Sequence, residues 1–249
     1  MKFIGIIPSR YGSTRFPGKP LADICGKTVV RRVYEQAAKA LDTVVVATDD
    51  ERIYDAVEAF GGKVVMTRPD HKCGTDRCLE AYQAITTPVW REQNDTDTVV
   101  INIQGDEPFI QPEQIETLMT CFDRPDTEIA TLVRPFTDSD SRADIENMNT
   151  PKVDWDLGSG EAKMFSRKVI AASDGKYYRH IGIYAFRADV LAQITQLGQS
   201  PLEIAERLEQ LRWLENGYKI RIGVTEIPTI GIDTPEDLKK AIEWYKYNG

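Results

Sequence analysis

The sequence predicts an α/β fold with a mixed, mostly parallel sheet, and two observations support this prediction. In residues 2–103, short β-branched runs alternate with segments whose apolar residues recur at helical spacing. Repeated strand–helix units require right-handed crossovers, which place successive strands parallel in one sheet. The second half of the chain is less regular, and its pattern indicates an antiparallel region inserted into the same domain.

The first half contains four expected strands and three expected helices. The strands are runs rich in Val and Ile, and each helix has its apolar residues on one face. Asp49 and Asp50 are candidate caps for the second helix. The expected strands are Lys2–Pro8, Thr43–Thr48, Lys63–Thr67 and Thr98–Ile103, and the expected helices are Thr28–Leu41, a segment running to Phe60, and Thr75–Ile85.

The second half predicts a hairpin, two further strands and two helices. The hairpin is expected because a Gly-Ser-Gly turn at 158–160 lies between two short alternating runs. No repeat, low-complexity tract or linker interrupts the chain, so we expect a single domain over residues 1–249. The expected elements are strands at Lys152–Asp156, Lys163–Ser166, Tyr178–Phe186 and Lys219–Ile227, and helices at Leu202–Leu214 and Pro235–Tyr245.

Composition excludes several classes of protein. The formal net charge of −8 argues against a nucleic-acid partner, which favours a basic face. No apolar run approaches the ~18 residues of a membrane span, and the N-terminus shows no signal-peptide pattern. The four cysteines form no C-x-x-C pair and only two histidines are present, which argues against a zinc site. We therefore expect a cytoplasmic protein.

The segment directly after the first strand is basic and punctuated by glycine. Residues 9–20 contain three cations, Arg10, Arg15 and Lys19, and no acid. Open α/β sheets bind ligands at the carboxyl ends of their strands, so this loop is expected to bind an anion. We expect the backbone N–H groups of Gly12 and Gly18 to donate to phosphate oxygens. The alternative is a solvated basic turn.

The basic loop does not have the spacing of the common phosphate-binding loop. Five residues separate Gly12 and Gly18 where that motif has four, and Pro20 stands where the motif has its Mg²⁺-binding hydroxyl. Pro17 and Pro20 also predict an extended backbone, with no helix beginning at Lys19. Any metal must therefore be held by carboxylates from elsewhere in the chain.

Two acidic residues at predicted turns are candidates for that role. Asp106 follows the fourth strand, and Gly105 before it allows a sharp turn. Asp233 precedes Thr234, a candidate N-cap with Asp237 as the third residue of a capping box, so Asp233 is expected to point away from the helix. Two carboxylates beside phosphates are a common Mg²⁺ site. Alternatively, Asp106 pairs with the backbone of its own turn and Asp233 caps the helix. Sequence spacing does not decide whether the two carboxylates lie close together.

Five segments of the chain together resemble one enzyme family, the 3-deoxy-D-manno-octulosonate (Kdo) cytidylyltransferases, or CMP-Kdo synthetases. The similarity runs in order from Lys2 to beyond Leu238. The segments are residues 7–21, 71–77, 102–108, 179–184 and 231–238.

The resemblance implies a Rossmann-like nucleotidyltransferase of the nucleotide-diphospho-sugar transferase type. It implies transfer of CMP from CTP to Kdo with release of pyrophosphate, with Mg²⁺ as cofactor, in a homodimer that serves lipopolysaccharide synthesis. It also implies that the region of about residues 145–215 carries the sugar pocket and the dimer contacts.

The resemblance assigns roles to individual residues. Lys19, Asp106 and Asp233 are implied to be catalytic, and the two aspartates to hold the metal. The residues implied to bind CTP are Arg10, Ser13, Arg15, Lys19, Thr75, Asp76, Arg77 and Gln104. The residues implied to bind the sugar are Arg167, His180, Tyr184, Glu209 and Gln210.

Simpler interpretations exist for the sugar-binding candidates. Glu209 and Gln210 suit the solvated face of a helix, and Tyr184 and His180 suit a packed strand. The chain also departs from the family pattern by small changes at Ser9, Phe16 and Cys73. The change at Cys73 weakens the expectation of a side-chain hydrogen bond near the base.

Two rival functions stay open at this point. One is a related enzyme with another acceptor, such as a sialic acid with CTP or a sugar phosphate with UTP or GTP. The other is a non-catalytic nucleotide-binding or sensor protein.

Overall fold

A computed structural model describes residues 1–86 and 97–248 of the chain. The chain divides into two compact units, the first formed by Met1–Ile115 with Thr229–Gly249 and the second by Glu116–Pro228. In chain order the second unit is therefore an insertion between two parts of the first. The expectation of a single domain stays a prediction, because two compact units can belong to one domain or to two.

The first unit is built on four parallel strands. Strand β1 (Lys2–Ser9) pairs with β4 (Val44–Thr48) on one side and β6 (Thr98–Asn102) on the other, and β4 pairs with β5 (Val64–Met66). Every residue of β4 and β6 is buried, as expected for parallel strands covered on both faces. The elements are β1 (Lys2–Ser9), β2 (Asp23–Ile24), β3 (Lys27–Thr28), α1 (Val29–Ala40), β4 (Val44–Thr48), α2 (Glu51–Ala59), β5 (Val64–Met66), α3 (Gly74–Ile85) and β6 (Thr98–Asn102).

The helices of the first unit begin at the capping residues that the sequence indicates. Thr28 accepts a hydrogen bond from the N–H of Arg31 at 3.3 Å, and Asp50 accepts one from Arg52 at 3.0 Å. All seven strands and helices expected in the first half form within two residues of their expected bounds. The β-branched pattern and the caps thus predict this half well.

One expectation about the basic loop was wrong. Lys19–Leu21 forms a single turn of 3-10 helix, with Pro20 in its first turn. Proline is tolerated there because the N–H groups of a first turn have no partner within the helix. Gly18 begins the turn with φ 72°, a left-handed conformation that suits glycine.

The second unit contains five strands joined in a closed ring of pairings. Strand β7 (Ile129–Pro135) lies between β10 (Tyr178–Arg187) and β11 (Ile220–Val224). Strand β9 (Glu161–Ser166) pairs with β11 and with β8 (Lys152–Asp156), and β8 pairs back with β10. Only the β7–β11 pair is parallel, so the predicted antiparallel region is confirmed. After α4 (Pro112–Thr120), which contains the boundary between the units, the elements are β7 (Ile129–Pro135), α5 (Arg142–Glu146), β8 (Lys152–Asp156), β9 (Glu161–Ser166), β10 (Tyr178–Arg187), α6 (Ala188–Ile194), α7 (Pro201–Glu206), α8 (Gln210–Glu215) and β11 (Ile220–Val224).

The single helix expected over Leu202–Leu214 was wrong. Two short helices, α7 and α8, form instead, because Arg207 takes a left-handed conformation with φ 54° that ends α7. Helical spacing of apolar residues does not reveal such a break, and it also misplaces the buried face of α7, where Leu202 and Ile204 are exposed and Glu203 is buried. Strand β7 and helices α4 and α6 were not predicted, because short apolar runs do not separate strand from helix. Helix α5 was not predicted because it has no apolar run and buries no residue.

The C-terminal segment returns to the first unit and packs into its core. There, helix α9 (Pro235–Asn248) follows a loop that carries the buried Ile232. We call the group of buried residues around this side chain the Ile232 cluster. Its members are Ile24, Val29, Phe109, Ile232 and Ala241, and Phe16, Leu238 and Tyr245 are among the partly buried residues packed against it.

Among residues 1–86 and 97–248, no helix combines the length and the apolar character needed to cross a membrane.

The turn between β2 and β3 generates a stability prediction. Cys25 and Gly26 have φ 49° and 85°, which is the pattern of a type I′ turn, and cysteine is a poor residue for its first position. We expect Cys25→Asn to raise the free energy of unfolding by about 0.5–1 kcal/mol, because asparagine tolerates positive φ better. Urea unfolding would measure the change. Cys25→Val is the matched control and should destabilise, and a less stable Asn variant would contradict the prediction.

Candidate active site

The structure brings the basic loop and the two predicted acidic residues together. The amine of Lys19 lies 2.7 Å from Asp106 Oδ2 and 3.5 Å from Asp233 Oδ1. Arg15 Nη2 donates to the same Asp233 oxygen at 3.0 Å. Residues more than 200 positions apart in the chain thus form one charged cluster, which we call the Lys19 cluster. All of it belongs to the first unit.

The backbone fixes the position of both carboxylates. The N–H of Ile232 donates to the carbonyl of Asp106 at 2.9 Å, which joins the two acidic loops directly. A Cβ atom on Gly105 would lie 2.8 Å from the carbonyl oxygen of Pro8, so only glycine permits this close approach to the end of β1. The prediction of a sharp turn before Asp106 is therefore confirmed.

The loop at Asp233 contains the predicted capping box. Asp237 Oδ2 accepts the N–H of Thr234 at 2.9 Å, and Thr234 Oγ1 accepts the N–H of Asp237 at 3.2 Å. The carboxylate of Asp233 takes no part in this cap. It is not unpartnered, however, since its pairs with Arg15 and Lys19 orient it toward the basic loop.

The ion pairs of the cluster differ in burial. The side chains of Arg15 and Asp233 are 66% and 49% exposed, and such surface pairs contribute about 0–1 kcal/mol. The Lys19 side chain is only 13% exposed, so its pair with Asp106 is screened less by solvent. Lys19 is therefore the cation that holds the two carboxylates together.

The basic loop is closed by its own hydrogen bonds. The carbonyl of Tyr11 accepts the N–H groups of both Ser13 and Gly18 at 2.9 Å. Ser13 Oγ accepts the N–H of Phe16 at 3.3 Å. The expectation that the Gly18 N–H donates to phosphate was therefore wrong, because this N–H already closes the loop. The side chains of Arg10 and Arg15 are exposed.

The start of helix α3 carries three further nucleotide candidates. Cys73 Sγ accepts the N–H of Asp76 at 3.4 Å, so cysteine keeps the capping role at this position. Thr75 is buried in the first turn, and Asp76 is partly exposed. Arg77 is 1% exposed and donates to Asp49 Oδ2 at 2.7 Å, which ties α3 to the end of β4. This contact supports a structural role for Arg77.

Two nearby side chains complete this edge of the sheet. Gln104 is partly exposed between β6 and Gly105. Glu107 was not singled out from the sequence, where it is one acid among several. Burial, together with the charge of Asp106, raises the pKa of Glu107 to about 8. Glu107 is therefore largely protonated at neutral pH, and it adds little negative charge beside Asp106.

The Lys19 cluster fits a divalent cation with hard oxygen ligands. Asp106 and Asp233 contact one amine and are therefore close enough to share one cation. Within the described ranges, no group of three or more His, Cys, Asp or Glu side chains could hold a metal. Two carboxylates completed by phosphate and water oxygens suit Mg²⁺, which usually keeps several non-protein ligands.

His180 in the second unit lies among aromatic side chains. Its ring centroid is 5.2 Å from that of Phe165 and 5.3 Å from that of Tyr184. His180 Nε2 lies 3.0 Å from Thr131 Oγ1, and that hydroxyl donates its single proton to the carbonyl of Ile183 at 2.7 Å. Nε2 must therefore carry the proton and donate to Thr131. Burial lowers the pKa of His180 to about 3, so the imidazole is neutral at neutral pH.

Tyr184 and Gln210 each bury a polar atom that lacks a described hydrogen-bond partner. These atoms are the hydroxyl of Tyr184 and Nε2 of Gln210. Burial and the negative charge of Glu209 raise the pKa of Tyr184 well above its usual value. An unpaired buried polar group costs about 1–3 kcal/mol, and a ligand that paired with either atom would remove that cost. The solvated-face interpretation of Gln210 was wrong, since this side chain is buried.

Glu209 and Arg167 are held by neighbouring groups. Glu209 Oε1 accepts from Arg212 Nη2 at 2.9 Å. The Arg167 guanidinium donates to the carbonyls of Glu206 at 2.8 Å and Met148 at 3.0 Å. It also donates to the carbonyl of Arg207, at 3.3 Å. These contacts use three of its five N–H donors and leave one on each terminal nitrogen.

The structure thus gathers the predicted residues in two groups, one in each unit. Arg10, Ser13, Arg15, Lys19, Thr75, Asp76, Arg77, Gln104, Asp106 and Asp233 all belong to the first unit, and Arg167, His180, Tyr184, Glu209 and Gln210 all belong to the second.

Comparisons with known proteins identify the family. A family model described as cytidylyltransferase matches residues 4–220. The 3-deoxy-manno-octulosonate cytidylyltransferase of Parabacteroides distasonis is 58% identical to this chain over 97% of both proteins. That of Bacteroides thetaiotaomicron is 56% identical over 99% of both.

A solved structure agrees with these relatives. It is a CMP:2-keto-3-deoxy-manno-octonic acid synthetase complexed with CTP, 40% identical to this chain, with a TM-score of 0.89 over 100% of both chains. The predicted Rossmann-like nucleotidyltransferase fold and the family resemblance are both confirmed. The chain therefore belongs to the cytidylyltransferase family, and within it to the 3-deoxy-manno-octulosonate cytidylyltransferases, which are nucleotidyltransferases.

Proposed function

We propose that this enzyme transfers CMP from CTP to Kdo and releases pyrophosphate. The observation that carries the proposal is the Lys19 cluster, where cations suited to phosphates lie beside two carboxylates suited to Mg²⁺. The related structure complexed with CTP supports the choice of nucleotide, and the relatives named for 3-deoxy-manno-octulosonate support the choice of acceptor.

The first unit binds the triphosphate in this proposal. Arg10, Arg15 and Lys19 neutralise phosphate charge, and the Lys19 amine has a third N–H beyond its two carboxylate contacts. Such fixed charges stabilise the transferring phosphoryl group as negative charge develops. Ser13, Thr75, Asp76 and Gln104 complete the nucleotide site, and the buried Arg77 holds the start of α3 in place through its contact with Asp49.

Asp106 and Asp233 hold Mg²⁺ in this proposal. When bound, Mg²⁺ neutralises phosphate charge and lowers the pKa of the acceptor hydroxyl.

The second unit binds the acceptor. Tyr184 and Gln210 pair their buried polar atoms with sugar hydroxyls, and neutral His180 offers Nδ1 as an acceptor. The two remaining N–H groups of Arg167 suit the carboxylate of a sugar acid. Glu209, held by Arg212, accepts from further hydroxyls.

The reaction is a single displacement at the α-phosphorus of CTP. The anomeric oxygen of Kdo forms the new bond to the α-phosphorus and its proton passes to solvent, while the bond from the α-phosphorus to pyrophosphate breaks. Holding both reactants in order can supply about 7–11 kcal/mol of the barrier. The proposal further places the enzyme in the cytoplasm as a homodimer that activates Kdo for lipopolysaccharide synthesis, which rests on the family resemblance.

Pyrophosphate release separates this function from its rivals. We expect release with CTP and Kdo in the presence of Mg²⁺. Release should be at least about 100-fold slower when UTP replaces CTP or N-acetylneuraminate replaces Kdo, because the base site is proposed for cytosine and the acceptor site for Kdo. Faster turnover of a control substrate would favour a related transferase. Binding of CTP without pyrophosphate release at any Mg²⁺ concentration would favour a non-catalytic protein.

Neutral variants of the two aspartates test the metal site. We expect Asp106→Asn and Asp233→Asn each to lower kcat by about 100-fold or more, because each removes a charged ligand and the partner charge of Lys19. Steady-state kinetics with circular dichroism would show lost turnover in a folded protein. Asp55→Asn, at an exposed position on α2, is the matched control. A near-normal rate in either site variant would remove that residue from the site.

The two histidines allow a direct test of the His180 environment. We expect the His180 ring to stay neutral from about pH 5 to about pH 8, because its pKa lies at about 3. Its folded pKa is below the unfolded value of about 6.5, so its contribution to stability is present above that pH and is lost as pH falls toward 3.

Proton NMR of the histidine rings would follow this titration, and a His71→Gln variant assigns the two signals. The urea-unfolded protein serves as the control, in which His180 should titrate near about pH 6.5. A native-state titration at that same pH would show that His180 is solvated.

A further inference from the structure

A fully buried lysine lies in the second unit without a carboxylate partner. Lys152 on β8 is 0% exposed, and its amine donates to the carbonyls of Asn147 at 2.6 Å and Arg167 at 3.2 Å. Among the described residues, no carboxylate pairs with it. Its partner on the adjacent strand β10 is another cation, Arg179. Burial and Arg179 both lower the pKa of Lys152. Burying a cation in this way is costly, so its position calls for a physical reason.

The two carbonyls that Lys152 holds come from segments that Arg167 also joins. Arg167 Nη1 donates to the carbonyl of Met148, the residue after Asn147, at 3.0 Å. The amine therefore holds the backbone of Arg167 and the segment that its guanidinium contacts. The result is a closed circuit of hydrogen bonds through Lys152, Asn147–Met148 and Arg167, which fixes the arginine at both ends.

Arg167 extends this circuit to the break between α7 and α8. Its Nε and Nη2 donate to the carbonyls of Glu206 and Arg207, and its backbone N–H donates to Glu206 Oε2 at 2.9 Å. Arg207 is the left-handed residue that ends α7. Glu209 and Gln210 follow directly after this break, so a shift of Arg167 would move the segment that carries two acceptor candidates.

We propose that Lys152 is a positioning residue for acceptor binding, acting through Arg167. The role needs an amine, because only a donor at the end of a long side chain satisfies two carbonyls from separate segments. An uncharged side chain of similar length would leave the carbonyl of Arg167 without this donor and release the arginine backbone, while the carbonyl of Asn147 would keep only the N–H of Thr150, at 3.1 Å. The inference rests on the proposed function, in which Arg167 binds the sugar acid.

Kinetics of the full-length enzyme with separate KM values for each substrate test the inference. We expect Lys152→Met to raise KM for Kdo by about tenfold or more, with KM for CTP changed by less than about twofold. Lys152→Arg keeps the charge and the donors and should recover part of the loss. Lys163→Met is the matched control, since Lys163 lies on β9 of the same hairpin, is 50% exposed and pairs with Asp156. This control should leave both KM values unchanged.

A second variant separates failure of this inference from failure of the proposed function. Arg167→Gln should raise KM for Kdo by itself. Adding Lys152→Met should change KM little further, because both substitutions act through the contact of Arg167 with the acceptor. An unchanged KM for Kdo in Arg167→Gln would refute the role of Arg167 and with it the inference. A raised KM in Arg167→Gln beside a normal KM in Lys152→Met would overturn the inference alone.

Loss of folding is covered by the same design. Circular dichroism establishes whether Lys152→Met is folded. If it is not, Lys152→Gln, whose shorter side chain keeps an N–H donor, is tested for the same changes in KM. A general structural role for the lysine predicts equal changes in both KM values, and that result would also overturn the inference.

Discussion

The arrangement of the Lys19 cluster depends on the attachment of the C-terminal segment to the first unit. The side chain of Ile232 is buried with Ile24, Val29, Phe109 and Ala241, and its N–H donates to the carbonyl of Asp106. Hydrophobic burial and one backbone hydrogen bond thus place Asp233 beside the strand end that carries Asp106. Phe16, from the basic loop, packs against the same cluster. The position of Arg15 and Lys19 relative to the acids is therefore set by packing, and the ion pairs refine it.

Charge is distributed differently in the two groups of functional residues. The Lys19 cluster is rich in charge, and its cations and carboxylates are paired and partly solvated, as suits the polyanionic substrate proposed for it. The sugar-binding candidates instead include neutral His180, with a pKa of about 3, and an un-ionised Tyr184. Neutral donors and acceptors suit a polyhydroxylated acceptor, whereas fixed charges suit phosphates. Each set matches the chemistry proposed for it.

Several buried polar groups in the second unit are explained better by ligand binding than by stability. Tyr184 and Gln210 bury atoms with no described partner, and Lys152 buries an amine without a counter-charge. Arg207 adds a left-handed backbone conformation at the break between α7 and α8. Such features cost free energy, and they concentrate around Arg167, Glu209 and Gln210. Local strain and unpaired groups of this kind are typical of binding sites, where the substrate supplies the missing contacts.

The sequence alone determined the parallel first half, because β-branched runs and capping residues act locally, and short motifs indicated the family and the site residues. It also indicated the capping box at Thr234, whose requirements lie within a few residues, whereas the need for glycine at 105 comes from the distant carbonyl of Pro8. It did not show that Asp106 and Asp233 share Lys19, since that contact depends on packing around Ile232 across most of the chain. Nor did it show the break at Arg207 or the closed circuit through Lys152. Those features arise from hydrogen bonds between distant carbonyls and side chains, so only the tertiary structure decided them.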